Sequence, residues 1–535
     1  MIKSDFKKSY LARTLFSWPI LSLLSSFLLV LSFPIPGISI IAWIALVPFF
    51  IVITRENLSR VIFSTIIVNF TFNFFYLIWL KEYKQPLSFP LSLVAELIYL
   101  MPQVIFSWVI YHITPRYLKT LMLASVWIFF DYLKTIGFLA FPWGIIGYTQ
   151  YRNTLLIQTS SIFGVWGIDL IIVLFNSSLA MFIIKIRDEG TDFSNWKSSE
   201  TLNLVISILL IILSVVYGLF VLKDDRYSGE KSIKLSLIQP NFDPWSPNLN
   251  KSLEKEVSLT MKSLKYNPDM IIWSESSVPF PFDYYLAKKN VYALKIDSFI
   301  KRMKRPFIIG SLSFQGIYKK GRFRGKFYNV AYYYEPGKGY DYYRKVHLVP
   351  FGEWFPYKKL FPFAARILEK AGAGDFSPGT SFKVFKYEDL AFNVLICFED
   401  VFGNLARKFV QNGSRLMINI TNDAWSGSEK AEVQHFSISV FRAIENRVPL
   451  VRVANGGVTV YLDPYGRIVE RLPLFKSDYL VCNVKYKPTV SMKSLTFYTK
   501  HGDFLPFSMI ALVIFVLLVE LFIKIVDIIL NRNNM

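Results

Sequence analysis

Apolar and polar positions divide this chain into two regimes. From residue 16 to residue 222 long apolar runs follow one another with short polar breaks: 16–33, 38–53, 61–80, 91–111, 120–140, 160–184 and 204–222. One more, 505–530, lies near the C-terminus. A stretch of about 20 apolar residues is long enough to cross a bilayer as a helix. The pattern therefore predicts a membrane α-helical bundle of about eight spans. The first two runs are short and separated by Pro34 and Pro36, which predicts a tight helical hairpin. The fifth is interrupted by Asp131 and Lys134.

Between residues 223 and 503 the period changes. Short β-branched runs at 233–238, 270–273, 307–310, 329–334, 392–397, 416–420, 450–453 and 458–462 read as strands. Helix-length stretches at 253–264, 401–412 and 431–446 lie among them, and turn signals such as Glu335-Pro336-Gly337 and Asp463-Pro464-Tyr465-Gly466 separate them. Strands interleaved with helices predict a layered α/β domain outside the membrane. The expected domains are residues 1–222, seven membrane helices; 223–503, the extramembrane domain; and 504–535, the last helix and its tail.

Composition agrees with two solvents for one chain. Of 535 residues, 53% are hydrophobic and 17% aromatic, and the charged residues concentrate in the outer region. The net charge of +21 suits an anionic membrane surface. No nucleic-acid-binding signature accompanies it, so no nucleic-acid partner is expected. The basic N-terminal tail, with Lys3, Lys7, Lys8 and Arg13, precedes the first run without a small-residue cleavage site, and we read that run as a membrane helix. Cations also follow the second, fourth, sixth and eighth runs, at Arg55 and Arg60, Arg116 and Lys119, Lys185, Arg187 and Lys197, and Arg532. The positive-inside rule then puts both termini in the cytoplasm and residues 223–503 on the opposite side. Two cysteines and four scattered histidines predict neither a disulfide framework nor a metal site.

Three side chains sit where strand-like runs end. Met270-Ile271-Ile272-Trp273-Ser274-Glu275 delivers a carboxylate. Tyr343-Arg344-Lys345 delivers an amine, with Glu353 eight residues on in Leu348-Val349-Pro350-Phe351-Gly352-Glu353. Asn393-Val394-Leu395-Ile396-Cys397-Phe398-Glu399 delivers a thiol before a helix, where the helix dipole would favour thiolate. Singly, each has an ordinary structural explanation: a core cysteine, a surface lysine, a strand-end cap. Cys482, inside Tyr479-Leu480-Val481-Cys482-Asn483-Val484, is expected to be structural.

Together, Glu275, Lys345 and Cys397 resemble the nitrilase superfamily, which uses a Glu, a Lys and a Cys in that chain order. A longer set of motifs resembles one membrane-integral branch, the apolipoprotein N-acyltransferases: Leu348 to Glu353, Cys397-Phe398-Glu399, Thr421-Asn422-Asp423-Ala424-Trp425, Gln434-His435-Phe436, Arg442-Ala443-Ile444-Glu445, Arg452-Val453-Ala454-Asn455-Gly456-Gly457-Val458-Thr459, and Phe141-Pro142-Trp143-Gly144 with Gly147-Tyr148. Two departures stand out. The family's tyrosine after the cysteine is Phe398 here, and Trp245 follows Gln239-Pro240-Asn241 closely.

The resemblance implies an α-β-β-α sandwich and a ping-pong acyl transfer without a cofactor. An acyl chain passes from a phospholipid, phosphatidylethanolamine by analogy, through a thioester on Cys397 to the N-terminal amine of a diacylglyceryl-cysteine apolipoprotein. Glu275 would be the base and Lys345 the oxyanion partner. Glu353 and Glu399 flank the lysine and the cysteine, and are expected either to orient Lys345 and tune its charge or to form a salt bridge with no catalytic part. Trp143, Trp245 and Phe398 would bind substrate. The implied setting is the bacterial inner membrane, with the catalytic domain periplasmic and the protein monomeric. The aromatic and cationic run 354–363 is expected to meet the bilayer surface. Two rivals remain: a membrane-tethered nitrilase-type amidohydrolase that uses water, and a transporter or receptor whose outer domain only binds.

Overall fold

The structure, a computed structural model, describes residues 17–82, 88–137, 139–189, 198–224, 229–245, 248–319, 322–355, 362–363, 366, 374–489 and 491–533. The basic tail at residues 3–13, Lys197, and residues 356–361 of the aromatic and cationic run lie outside these. The chain separates into two compact units, Met1–Ile78 with Phe89–Phe220 and Asp503–Met535, and Trp79–Ser88 with Val221–Gly502.

In the first unit every apolar run forms helix. Five helical stretches, Leu58–Glu82, Ser88–Ile113, Val165–Glu189, Ser199–Lys223 and Phe504–Leu530, are long and apolar enough to cross a membrane. Trp18–Ser32 and Ser39–Arg55 are shorter. The fifth run does not form the span expected over 120–140. Its helix, Lys119–Leu133, stops one residue before Lys134, and the chain turns at Gly137, where φ is +83°. The interrupting charges explain the stop: Lys134 lies 3.5 Å from Asp131 and 3.4 Å from Glu96 of Ser88–Ile113, so the ammonium is neutralised inside the bundle. Buried amides pin neighbouring helices. Asn176 Nδ2 donates to the Ala42 carbonyl at 3.0 Å, and its Oδ1 accepts from the Leu46 amide at 2.9 Å. Leu213, Phe220, Phe515 and Phe522 are exposed, as lipid-facing residues should be.

The second unit is built on two sheets. The first runs β13 (Asp478–Tyr486), β1 (Lys231–Gln239), β2 (Met270–Trp273), β4 (Phe307–Lys319), β5 (Arg322–Glu335), β6 (Gly339–Arg344), with β3 (Val278–Pro281) also paired to β4. The second runs β12 (Ile468–Arg471), β11 (Val460–Leu462), β10 (Leu450–Ala454), β9 (Leu416–Thr421), β8 (Leu390–Ile396), β7 (Val384–Tyr387). The centre of each is parallel: β1, β2 and β4 in one, β8, β9 and β10 in the other. Strands buried on both faces read as unbroken apolar runs. Hence Met270–Trp273 and Leu416–Thr421, buried throughout, were visible in the sequence.

The sheets face each other, β1 against β10 and β5 against β8. Helices Leu249–Ser263 and Val291–Met303 cover the first sheet, the latter through Ala293, Ile296, Phe299 and Ile300 packed with Ile271, Trp273 and Phe307. Helices Gly403–Gln411 and Glu429–Asn446 pack on each other beside the turn that follows β8. This is the α-β-β-α sandwich. Ligands of such sheets bind beyond the carboxyl ends of the parallel strands, and it is there that Glu275, Cys397 and Asp423 emerge.

Candidate active site

Glu275 leaves β2 into a turn whose next residue, Ser276, has φ +57°. The turn lies flat on β4 because residue 310 is glycine: a Cβ there would fall 2.5 Å from the Glu275 Cα. The Glu275 carboxylate is held at both oxygens. Asn329 Nδ2 of β5 donates to Oε1 at 2.8 Å, and the Asn422 amide after β9 donates to Oε2 at 2.9 Å.

Lys345 follows β6. Its amide donates to the Asn329 carbonyl at 2.9 Å, and its own carbonyl accepts from the Gly379 amide at 2.7 Å. The fully buried ammonium lies 2.8 Å from Glu353 Oε2 and 3.7 Å from Glu275 Oε1. Glu353 is fixed in turn: Asn329 Nδ2 donates to its Oε1 at 2.9 Å and the Val349 amide to its Oε2 at 2.9 Å. One amide nitrogen thus ties both carboxylates that surround the lysine.

Cys397 opens a tight turn, Cys397–Val401, directly after β8. Its φ of +52° is a left-handed conformation that a side-chain-bearing residue rarely adopts. Such strain is characteristic of functional turns that push a nucleophile out of a sheet. Asn419 Nδ2 donates to the Cys397 carbonyl at 3.0 Å, and the thiol, half-buried, donates to Asp423 Oδ1 at 3.9 Å.

Electrostatics sort these groups. Burial raises the Glu275 carboxyl above the ordinary carboxylate range, against the pull of the Lys345 ammonium. Burial also acts to lower Lys345, but the Glu353 and Glu275 carboxylates outweigh it and keep the amine charged. Burial and then the Glu275 charge push the Cys397 thiol well above its usual value, with Lys345 opposing. The sequence-based expectation of a dipole-stabilised thiolate therefore fails. The turn at Cys397 is five residues of tight helix, too short to offset a neighbouring carboxylate.

Glu399 acts on the lysine through the backbone that follows it, and the Lys345 charge acts on its carboxylate through space. Its Oε1 accepts from Tyr343 Oη at 2.8 Å and from the Val346 and His347 amides at 2.7 and 3.1 Å, while Oε2 accepts from the Ile396 amide at 2.8 Å. It clamps the backbone after Lys345 to the backbone before Cys397. Burial raises its carboxyl to about 7, with the Ile396 amide opposing.

The three expected binding residues are divided between the two units, and each is held within its own. Phe398 is buried, its ring 5.1 Å from Phe402 and 6.0 Å from His347. Trp245 lies in the same unit and donates from Nε1 to the Trp425 carbonyl at 2.9 Å. Trp143 belongs to the other unit, stacked on Phe141 at 4.5 Å. The structure adds a residue that no sequence motif marks. Trp79, at the end of the third apolar run, joins the second unit, where its ring lies 5.8 Å from Trp425 and its Nε1 donates to Gln434 Oε1 at 2.9 Å.

Behind the thiol lies a buried charge network. Arg452 of β10 donates to Asp400 and Asp423, while His435 sits between the same carboxylates, with Nε2 2.8 Å from Asp400 and Nδ1 3.2 Å from Asp423. Ser439 Oγ donates to Asp400 at 2.6 Å and Thr421 Oγ1 to Asp423 at 2.9 Å. Asp423 stays ionised well below the ordinary range, because His435 and Arg452 together outweigh its burial. Asn455 ties this region to the tryptophans: its Nδ2 donates to Asn422 Oδ1 and to the Phe242 carbonyl, each at 2.9 Å. The sequence motifs around 421–425, 434–436 and 452–459 are therefore parts of one support.

Comparison with known proteins covers both units. Residues 25–178 match the family described as the apolipoprotein N-acyltransferase N-terminal domain, and residues 234–493 match the carbon-nitrogen hydrolases. Apolipoprotein N-acyltransferase 1 of Treponema denticola is 32% identical over 91% of this chain and 93% of its own length. The apolipoprotein N-acyltransferases of Geobacter metallireducens and Borreliella burgdorferi are 33% and 31% identical, over 92% and 87% of this chain and 93% and 88% of theirs. Among solved structures, Saccharomyces cerevisiae Nit3, of branch 10 of the nitrilase superfamily, overlays 48% of this chain and 91% of its own at 18% identity and a TM-score of 0.35. Similarity that runs through the membrane helices as well as the α/β unit assigns the chain: it belongs to the apolipoprotein N-acyltransferase family.

Proposed function

We propose that this membrane enzyme N-acylates lipoproteins, taking an acyl chain from a phospholipid and passing it through a thioester on Cys397 to the N-terminal amine of a diacylglyceryl-cysteine apolipoprotein. The observation that carries the reading is the convergence of Glu275, Lys345 and Cys397, from three strands of two sheets, in a chain that has, among its described residues, five helices able to cross a bilayer.

In the first half-reaction Glu275 takes the Cys397 thiol proton as sulfur attacks the ester carbonyl of the phospholipid. A C–S bond forms, and the carbonyl oxygen takes the negative charge. The Lys345 ammonium and the Phe398 amide are the donors for that oxyanion. On collapse the C–O bond breaks, Glu275 returns its proton to the leaving oxygen, and lysophospholipid departs. In the second half-reaction the apolipoprotein's α-amine attacks the thioester and gives a proton to Glu275. The C–N bond forms, and Cys397 leaves with the proton. A resting thiol held protonated beside a base suits this cycle, since sulfur becomes nucleophilic only as the carbonyl arrives. Glu353 keeps Lys345 charged throughout, and Glu399 fixes the two backbones that carry the lysine and the cysteine.

The charge asymmetry of the loops supports a place in the bacterial inner membrane with the α/β unit on the periplasmic side. Phosphatidylethanolamine is the donor we favour, and a monomer suffices, because all three groups come from one chain. The deciding experiment is mass spectrometry of a lipoprotein N-terminus made with and without the enzyme. The amide-linked acyl chain must appear with the wild type and be missing with Cys397→Ala. Free fatty acid with no acylated lipoprotein would instead identify an amidohydrolase-like use of water.

A further inference from the structure

The proposed chemistry gives the Cys397 proton to Glu275, yet the resting thiol donates its hydrogen bond elsewhere, to Asp423 Oδ1 at 3.9 Å. Both Glu275 oxygens meanwhile accept from nitrogen donors, Asn329 Nδ2 and the Asn422 amide. A hydrogen bond from sulfur is weaker than one from nitrogen, and an ionised acceptor strengthens it.

Asp423 is such an acceptor. Thr421 Oγ1 donates to its Oδ1 at 2.9 Å, His435 Nδ1 lies 3.2 Å from each of its oxygens, and Arg452 donates to Oδ2. A carboxylate held this firmly ionised attracts the S–H without taking its proton, and its charge opposes the thiolate. The other charges that face sulfur are Glu275 beyond β2, Lys345 beyond β6 and Arg452 of β10. Asp400, after β8, and Glu432 and His435, of helix Glu429–Asn446, stand behind Asp423 and Arg452.

One short segment sets sulfur against its base. Asn419 of β9 holds the Cys397 carbonyl at 3.0 Å. Three residues on, the Asn422 amide holds Glu275, and Asp423, the next residue, faces the thiol. The carboxylate that is to take the proton and the one that faces it beforehand are thus fixed by a single turn.

We propose that Asp423 is a positioning residue for the nucleophile, holding the resting S–H until an ester carbonyl enters and the hydrogen turns to Glu275. The turn is a rotation about the Cβ–Sγ bond: the hydrogen bond to Asp423 breaks, one to Glu275 forms, and the proton moves to Glu275 as the C–S bond forms. Asp423 keeps its charge throughout. The inference rests on the reading of Cys397 as nucleophile and Glu275 as its base.

The test reads the S–H stretching band of the full chain in detergent by infrared spectroscopy. A Cys482→Ser background leaves Cys397 as the one thiol, and the band is identified by its loss in Cys397→Ser. It should be broad and displaced to low frequency, as for a thiol donating to a carboxylate. Glu275→Gln should leave it in place, and Asp423→Asn should move it back towards a free thiol. Asp423→Asn should also raise the rate of Cys397 alkylation at neutral pH by roughly tenfold and lower its pH profile by about one unit, because the opposing charge is gone. That variant deprives Arg452 and His435 of a partner; should it not fold, the comparison of the wild type with Glu275→Gln decides alone. A band at the free-thiol position, or one that moves with Glu275→Gln, overturns the proposal. So does unchanged alkylation in a folded Asp423→Asn protein. Failure to form any Cys397 thioester would sink the catalytic reading without moving the band, so the two failures are told apart.

Discussion

The ammonium of Lys345 is bound more tightly to Glu353, at 2.8 Å, than to Glu275, at 3.7 Å. The lysine thus has a permanent counter-ion that is not the proposed base. Glu353→Gln should leave the protein folded and slow thioester formation by roughly a hundredfold, because Lys345 then leans on Glu275 and weakens it as a base. Single-turnover acylation with labelled phospholipid measures this. An unchanged rate would show that Glu353 is only a structural partner.

Removing the lysine should do something different. Lys345→Met leaves two buried carboxylates facing each other, which should cost about 3–5 kcal/mol of stability as well as activity. Thermal unfolding in detergent separates the two variants: a large drop for Lys345→Met and a small one for Glu353→Gln.

The pH dependence follows from the directions at Glu275 and Cys397. Acylation needs the carboxylate ionised and the thiol still protonated. Because Glu275 is raised, the rate should climb with pH through a range above that of an ordinary carboxylate. Because Cys397 is raised further, no fall should appear until well into alkali. Alkylation of Cys397 by iodoacetamide should likewise rise only at a pH above that of a free cysteine. A rapid reaction at pH 6 would mean a resting thiolate.

Glu399 supplies a stability signature. Its folded carboxyl is raised to about 7, so its contribution is fully present below about pH 4.5 and is lost as pH climbs through 7. Glu399→Gln should flatten that part of the stability-versus-pH curve. It should also impair acylation by loosening both backbones, while leaving Lys345 paired with Glu353.

The Glu, Lys and Cys were legible because each ends a strand and the motifs around them are long. Their support was not. Asn329 sits inside an unremarkable Phe-Tyr-Asn-Val-Ala-Tyr stretch, and its role comes from spanning Glu275 and Glu353 across the sheet. The motif residues Asp423, His435 and Arg452 were visible as a pattern, yet only the fold shows that they meet behind the thiol. Strands with a wet face escaped for the same reason that the buried ones were found. β12, exposed at all four residues, carries no apolar run. The route by which Glu399 reaches the lysine, through the Val346 and His347 amides, was hidden because those contacts bridge two sheets and residues about fifty positions apart.

The most direct test is intact-protein and peptide mass spectrometry after incubation with phospholipid and no acceptor. One acyl chain should be found on the peptide containing Cys397, released by hydroxylamine or by an apolipoprotein amine, and missing in Glu275→Gln. An acyl chain found solely on Cys482, which is buried in β13, or an acylated lipoprotein formed without any modified Cys397, would contradict the thioester route.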